Sequence, residues 1–125
     1  MLQEITNYLL LSWEEIRDHP HLMINAFDHD HRIILWNKKC EEYFHITEDQ
    51  ALGHRLEDLL PQTKNSEKMQ HLERALMGFS VRVMNDTFDI KEGNYDQKVV
   101  PIKDASGKVV AALNIVSVAK GASEL

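Results

Sequence analysis

The histidines, the cysteine and the paired acids of this 125-residue chain are the side chains whose types and spacing could do chemistry. The densest histidine group is His19-Pro20-His21 together with His29-Asp30-His31. Imidazoles and carboxylates of this kind bind Zn²⁺ or Ni²⁺. The two groups flank one predicted strand of about six residues, and at about 3.3 Å per residue its ends lie about 20 Å apart. They are therefore expected as solvated loop histidines, and no metal site is assigned. Cys40 is the single cysteine, which excludes an internal disulfide, a multi-cysteine zinc site, an iron–sulfur cluster and a Cys-x-x-Cys-His haem attachment. It reads as a small buried hydrophobe, and its solitude suits the reducing cytoplasm. The pairs Glu14-Glu15, Glu41-Glu42 and Glu57-Asp58 are sequence neighbours on predicted helices. They point about 100° apart and look like solvated faces instead of acid–base partners. With no Gly-x-Ser-x-Gly, no His-Glu-x-x-His and five glycines in all, catalysis is not expected. Asn114 is a different case, an amide inside Ala111-Ala112-Leu113-Asn114-Ile115-Val116. Burying it is costly unless it finds a partner. That partner is a ligand, or else Asn25 or backbone on a neighbouring strand.

The composition bounds what can hold such groups. Lys and Arg number 14 against 20 Asp and Glu, a net charge of −6, with 43% apolar and 27% charged residues. This is one soluble domain with enough apolar mass for a core. The acidic balance argues against nucleic acid as main partner, because affinity for phosphates is carried mostly by clustered Lys and Arg. No signal peptide is read, and no apolar stretch approaches membrane-spanning length.

The elements follow from periodicity. Leu2, Ile5, Leu9, Trp13 and Ile16 recur at spacings of three and four, which predicts one amphipathic helix over residues 2–18, ending near His19-Pro20. Its stripe packs on the domain's sheet or forms a dimer contact. Met23 to Phe27 and Arg32 to Trp36 read as a hairpin across Asp28-His29-Asp30-His31. Asn37 suits a helix N-cap, and Thr47-Glu48-Asp49-Gln50 has the spacing of a capping box, closed by Gly53. One more turn precedes Pro61. A longer helix, from about Ser66 to Met77, carries Met69, Leu72, Leu76 and Phe79 on one stripe and stops at Gly78. Val81 to Val83, Tyr95 to Lys103 and Lys108 to Val118 read as strands, with turns at Glu92-Gly93-Asn94 and Asp104 to Gly107. The sum is an α+β fold, a five-stranded antiparallel sheet with short helices on one face.

The order of these signals resembles the PAS domain family. The matching pieces are Asp28-x-Asp-x-Arg32-Ile33-Ile34-x-Trp36-Asn37, Glu42-x-Phe44, Ile46-Thr47-Glu48-Asp49-x-x-x-Gly53, Leu59-Leu60-Pro61 and Val100-Pro101-Ile102-x-Asp104-x-x-Gly107-x-Val109-Val110. The resemblance covers residues 23–118, and with the periodicity of the first helix the chain reads as an N-terminal helix over 1–19, a PAS domain over 20–120 and a tail over 121–125. Two departures stand out. Many members carry glycine where this hairpin has His31, and many end the last strand in Asp-x-Thr where this chain has Val118-Ala119-Lys120. The second departs from the family's usual output route.

The family's work is sensing or dimerisation without catalysis, around an inner pocket that in some members holds haem, flavin or a small metabolite. Covalent flavin needs a cysteine at the start of the long helix, and Cys40 lies elsewhere. Haem ligation would fall to His71, which sits about 120° around the helix from the stripe of Met69, Leu72 and Leu76 and is expected to face solvent. The identity of any cofactor stays open. The resemblance and strand alternation place Asn25, Phe27, Phe44, Leu56, Met69, Leu72, Leu76, Val99, Asn114 and Val116 around the pocket, with Asn114 as the polar handle. Two functions follow. One is a sensor that binds a small, largely apolar ligand and signals as a homodimer to an effector domain or protein. The other is a ligand-free docking module, with Leu2, Ile5, Leu9, Trp13 and Ile16 as its contact surface. Neither nucleic acid nor a membrane is expected as partner.

Overall fold

The computed structural model describes residues 2–84 and 95–118. The N-terminal stretch is two helices, α1 (Leu2–Leu9) and α2 (Trp13–Arg17), where the periodicity predicts one. Leu10 turns left-handed at φ 58°, and the Leu11 N–H reaches back to the Thr6 carbonyl over 3.3 Å, the closure of a Schellman motif. Ser12 then starts α2 with a reciprocal capping box. Its Oγ accepts from the Glu15 N–H at 3.1 Å, and Glu15 Oε1 accepts from the Ser12 N–H at 3.0 Å. The break lets both halves of the apolar stripe meet the same surface.

That surface is one face of an antiparallel sheet. Its strands are β1 (Met23–Phe27), β2 (Ile33–Trp36), β3 (Val81–Met84), β4 (Tyr95–Lys103) and β5 (Val109–Val118), in the order β2-β1-β5-β4-β3. Strand side chains alternate between faces, so the sheet builds two cores. Ile24, Ala26, Leu35, Val100, Ile102 and Leu113 cluster on the outer face with Ile5 and Ile16, both at 0% exposure. Met23, Phe27, Ile33, Val99, Ala112 and Val116 cluster on the inner face under the remaining helices. These are α3 (Lys38–Phe44), α4 (Glu48–Ala51), α5 (Leu56–Leu59) and α6 (Glu67–Leu76), with a 3₁₀ turn at Pro61–Thr63 between α5 and α6. The expectation of helices on one face is met by α3 to α6, while α1 and α2 cover the other.

Local chemistry accounts for the joints. Asp28 Oδ1 accepts from the backbone N–H of Asp30 and Arg32, closing the β1–β2 turn. His31 takes the left-handed conformation there, φ 65°, where glycine would be unstrained. Thr47 and Gln50 form the expected capping box of α4, and Ser66 caps α6. Phe79 departs from its expected place on the α6 stripe. Gly78, at φ 104°, turns the chain away, and Phe79 is 61% exposed. The Glu92-Gly93-Asn94 turn and the 121–125 tail lie outside the described residues. No described helix is long and apolar enough to cross a membrane.

Candidate functional site

Between the inner sheet face and the helices is a cavity of about 40 Å³. Of the residues expected around a pocket, Phe27 of β1, Phe44 of α3, Leu56 of α5, Leu72 of α6, Val99 of β4 and Asn114 of β5 border it. Met69, Leu76 and Val116 do not; they are buried in the core beside it. Asn25 is also set apart from the lining. It pairs with Asn114 in register across β1 and β5, is 3% exposed, and its Oδ1 has no hydrogen-bond partner among the described residues. Its side chain lies against Cys40. The volume exceeds the share of one liquid water, about 30 Å³, and falls far below the ~300–1,000 Å³ of pockets that enclose drug-sized ligands. It has room for a molecule of a few heavy atoms.

The polar lining differs from the expectation of an Asn114–Asn25 pair. The partner of Asn114 is Gln97 on β4, whose Nε2 donates to Asn114 Oδ1 at 2.9 Å, both residues 8% exposed. That bond leaves the Asn114 amide donors and Gln97 Oε1 for other groups. Thr63 also borders the cavity, but its hydroxyl is committed to the Leu60 carbonyl at 2.7 Å. Lys68, from the first turn of α6, is half-buried at the cavity wall, and burial pulls its ammonium pKa down to about 8.

Gln97, Lys68, Leu60 and Thr63 border the cavity without being among the residues expected around it. Two of them left a trace. Gln97 has the same parity as Val99 along β4, and Lys68 precedes Leu72 by one helical turn, so each shares a face with a residue that borders the cavity. Their polar types conceal them, because a glutamine or lysine on an amphipathic element ordinarily faces water.

Several of the other reactive side chains have structural partners. Cys40 is fully buried, its Sγ donates to the Ile24 carbonyl at 3.2 Å, and desolvation pushes its thiol up to about 12 against the pull of neighbouring hydrogen bonds. His19 Nδ1 accepts from the N–H groups of His21 and Leu22. His29 Nε2 bonds the Val109 carbonyl at 2.8 Å. His31 Nδ1 lies 3.1 Å from Glu57 Oε2. His71 is half-buried on α6 and does not line the cavity. Among the described residues, no group of three or more His, Cys, Asp and Glu side chains is placed to hold a metal ion.

Comparison with known proteins places this geometry in a group. The family model described as PAS fold matches residues 18–120. Among solved structures, the PAS domain of the histidine kinase ThkA is similar at a TM-score of 0.66 and 23% identity, over 78% of this chain and 98% of that one. A sensory box sensor histidine kinase from Vibrio cholerae aligns at 0.67 and 16%, over 93% and 94%. VqmA of Vibrio cholera, in a complex with ligand and DNA, aligns at 0.66 and 13%, over 94% of this chain and 51% of that one. The sequence matches none of the curated proteins.

Proposed function

The chain belongs to the PAS family, and we propose that it is a cytoplasmic sensory module that binds a small molecule between its sheet and helices and reports occupancy through a dimer. The observation that carries this reading is the buried Gln97–Asn114 pair on an otherwise mostly apolar cavity wall. A few placed polar groups in an apolar lining are the usual make-up of a small-molecule site. The strands that present this pair also carry the outer core. Leu113 packs toward α1 and α2 on one side of β5, while Asn114 borders the cavity on the other. A shift of β5 on ligand entry therefore reaches the N-terminal helices without passing through a loop.

The expected dimer surface is narrower than the stripe suggests. Ile5 and Ile16 are consumed by the chain's own outer core, and Leu9 and Trp13 are half-buried against it. Leu2, at 43% exposure, stays available, along with Tyr8 and Leu10 at 48% and 87%. Those exposed side chains and the small volume of the cavity favour the second reading, a docking module with a filled core.

Native mass spectrometry of the chain purified without added cofactor separates the two. A dimer with one extra small mass per chain is the expected result, and Asn114→Leu should lose that mass. A bare monomer overturns the sensor reading, and a bare dimer transfers the assignment to the docking module.

A further inference from the structure

We propose that the molecule taken up by this cavity is neutral and carries a carboxamide-type group, which the Gln97–Asn114 pair recognises through one acceptor and one donor at once. This rests on the sensor reading above and names its ligand class. Phe27, Phe44, Leu56, Leu72 and Val99 supply apolar walls for the rest of the molecule.

Val99 stands opposite Asn114 and Gln97 opposite Val116 across β4 and β5, so Gln97 and Asn114 are diagonal neighbours on one face of the sheet, and both border the cavity. Two side-chain amides joined by a single hydrogen bond keep an acceptor on one residue and donors on the other, whichever of the two donates. Here Gln97 Nε2 donates to Asn114 Oδ1 at 2.9 Å, which leaves Gln97 Oε1 as acceptor and Asn114 Nδ2 as donor. Asn25 does not take the Asn114 N–H groups. It faces Asn114 in register across β1 and β5, yet its Oδ1 has no hydrogen-bond partner among the described residues. The other polar residues of the wall are engaged: Thr63 donates to the Leu60 carbonyl, and Lys68 has an interaction of its own.

A carboxamide answers both remaining atoms, its carbonyl accepting from Asn114 Nδ2 and its N–H donating to Gln97 Oε1. A ketone of the same shape has no hydrogen to give and leaves that oxygen unpaired in an apolar wall. A carboxylate fails in the same way and sets its charge against the oxygen as well, while an ammonium leaves the Asn114 donors unmet. The volume limits the ligand to a few heavy atoms, which makes propionamide, butanone and propionate, alike in heavy-atom number, suitable probes.

The test is titration of the full chain with each probe at neutral pH, followed by amide NMR shifts of α6, β4 and β5. Propionamide should bind at least about fivefold more tightly than butanone, the scale of one neutral hydrogen bond, and more tightly than propionate. The double change Gln97→Met with Asn114→Leu removes both members of the pair, so that neither amide is stranded, and circular dichroism checks the fold. In that protein the preference over butanone should fall below about twofold while butanone still binds. Butanone or propionate binding the unaltered chain as tightly as propionamide overturns the carboxamide assignment and leaves the sensor reading standing. A preference unchanged in the double variant overturns the role of the pair. Absence of any shift with all three probes also overturns this assignment, and the sensor reading is then decided by the co-purified mass in native mass spectrometry.

Discussion

Asn37 Nδ2 donates to the Ile16 carbonyl at 3.0 Å, which ties the C-terminal end of α2 to the start of α3 across the edge of the sheet. The same amide donates to the Leu22 carbonyl at 2.9 Å, and its oxygen accepts from the N–H groups of Ile24 and Cys40. Asn37 is at 0% exposure, so no water can replace it. Asn37→Ala should therefore cost about 3 kcal/mol, because it strands buried backbone groups whose desolvation is uncompensated. Urea denaturation measures this, and a loss under about 1 kcal/mol would mean that water enters the site.

Gln97 and Asn114 should behave as a coupled pair. Asn114→Leu leaves the buried Gln97 amide without its acceptor, and Gln97→Leu does the reverse. Each single change should destabilise by about 1–3 kcal/mol, and the double change should cost less than their sum. Additive losses in the double-mutant cycle would show that the bond contributes nothing in solution.

The Glu57 carboxyl gives a pH dependence. Burial raises its pKa, but the hydrogen bond from His31 at 3.1 Å and the nearby Arg55 outweigh that and hold it below the usual carboxylate value. A carboxyl depressed in the folded state contributes stability that is present above its unfolded value, near 4.5, and is lost as pH falls through the folded value. Glu57→Gln should cost about 1 kcal/mol near pH 6, and that cost should shrink as pH falls below 4.5 and through the folded value. A cost that is flat across this range in pH-dependent denaturation would rule the pair out as a source of acid sensitivity.

Lys68 works in the other direction. Its folded pKa of about 8 lies below the ordinary 10.5, so the unfolded chain binds the extra proton between those values and stability rises with pH across that window. Below about 8 the burial cost of the cation is fully present. Lys68→Met should accordingly stabilise the ligand-free chain at neutral pH, with a gain that shrinks as pH climbs toward 10.5. Thermal melts of both proteins across this range check the sign.

The N-terminal helices offer a contrast of neighbouring leucine and isoleucine. Ile16→Ala removes a fully buried side chain from the outer core and should cost about 2–5 kcal/mol. Leu10 is 87% exposed and left-handed, so Leu10→Gly should stabilise by up to about 1 kcal/mol through relief at positive φ. Urea midpoints that moved alike for the two would contradict the packing of α1 and α2 on the sheet.

Strand and helix identities were legible in the chain because they rest on local rules. Alternation in β1 and β5, the Thr47–Gln50 capping box, the Asn37 N-cap and the helical stripe of Met69, Leu72 and Leu76 each depend on residues within a few positions of one another. The family pattern, read across the same segments, supplied the sheet that joins them. Tertiary contacts decided the rest. Periodicity alone could not show that Leu10 would break the first helix, since a stripe continues through a left-handed residue unless the capping box at Ser12 is given weight. It could not pair Asn114 with Gln97 instead of Asn25, because β4 and β1 both flank β5 and the sequence carries no preference between them. Nor could it bring Lys68 to the cavity wall. A lysine's local rule is to reach water, and only the packing of α6 on β4 and β5 turns this one inward.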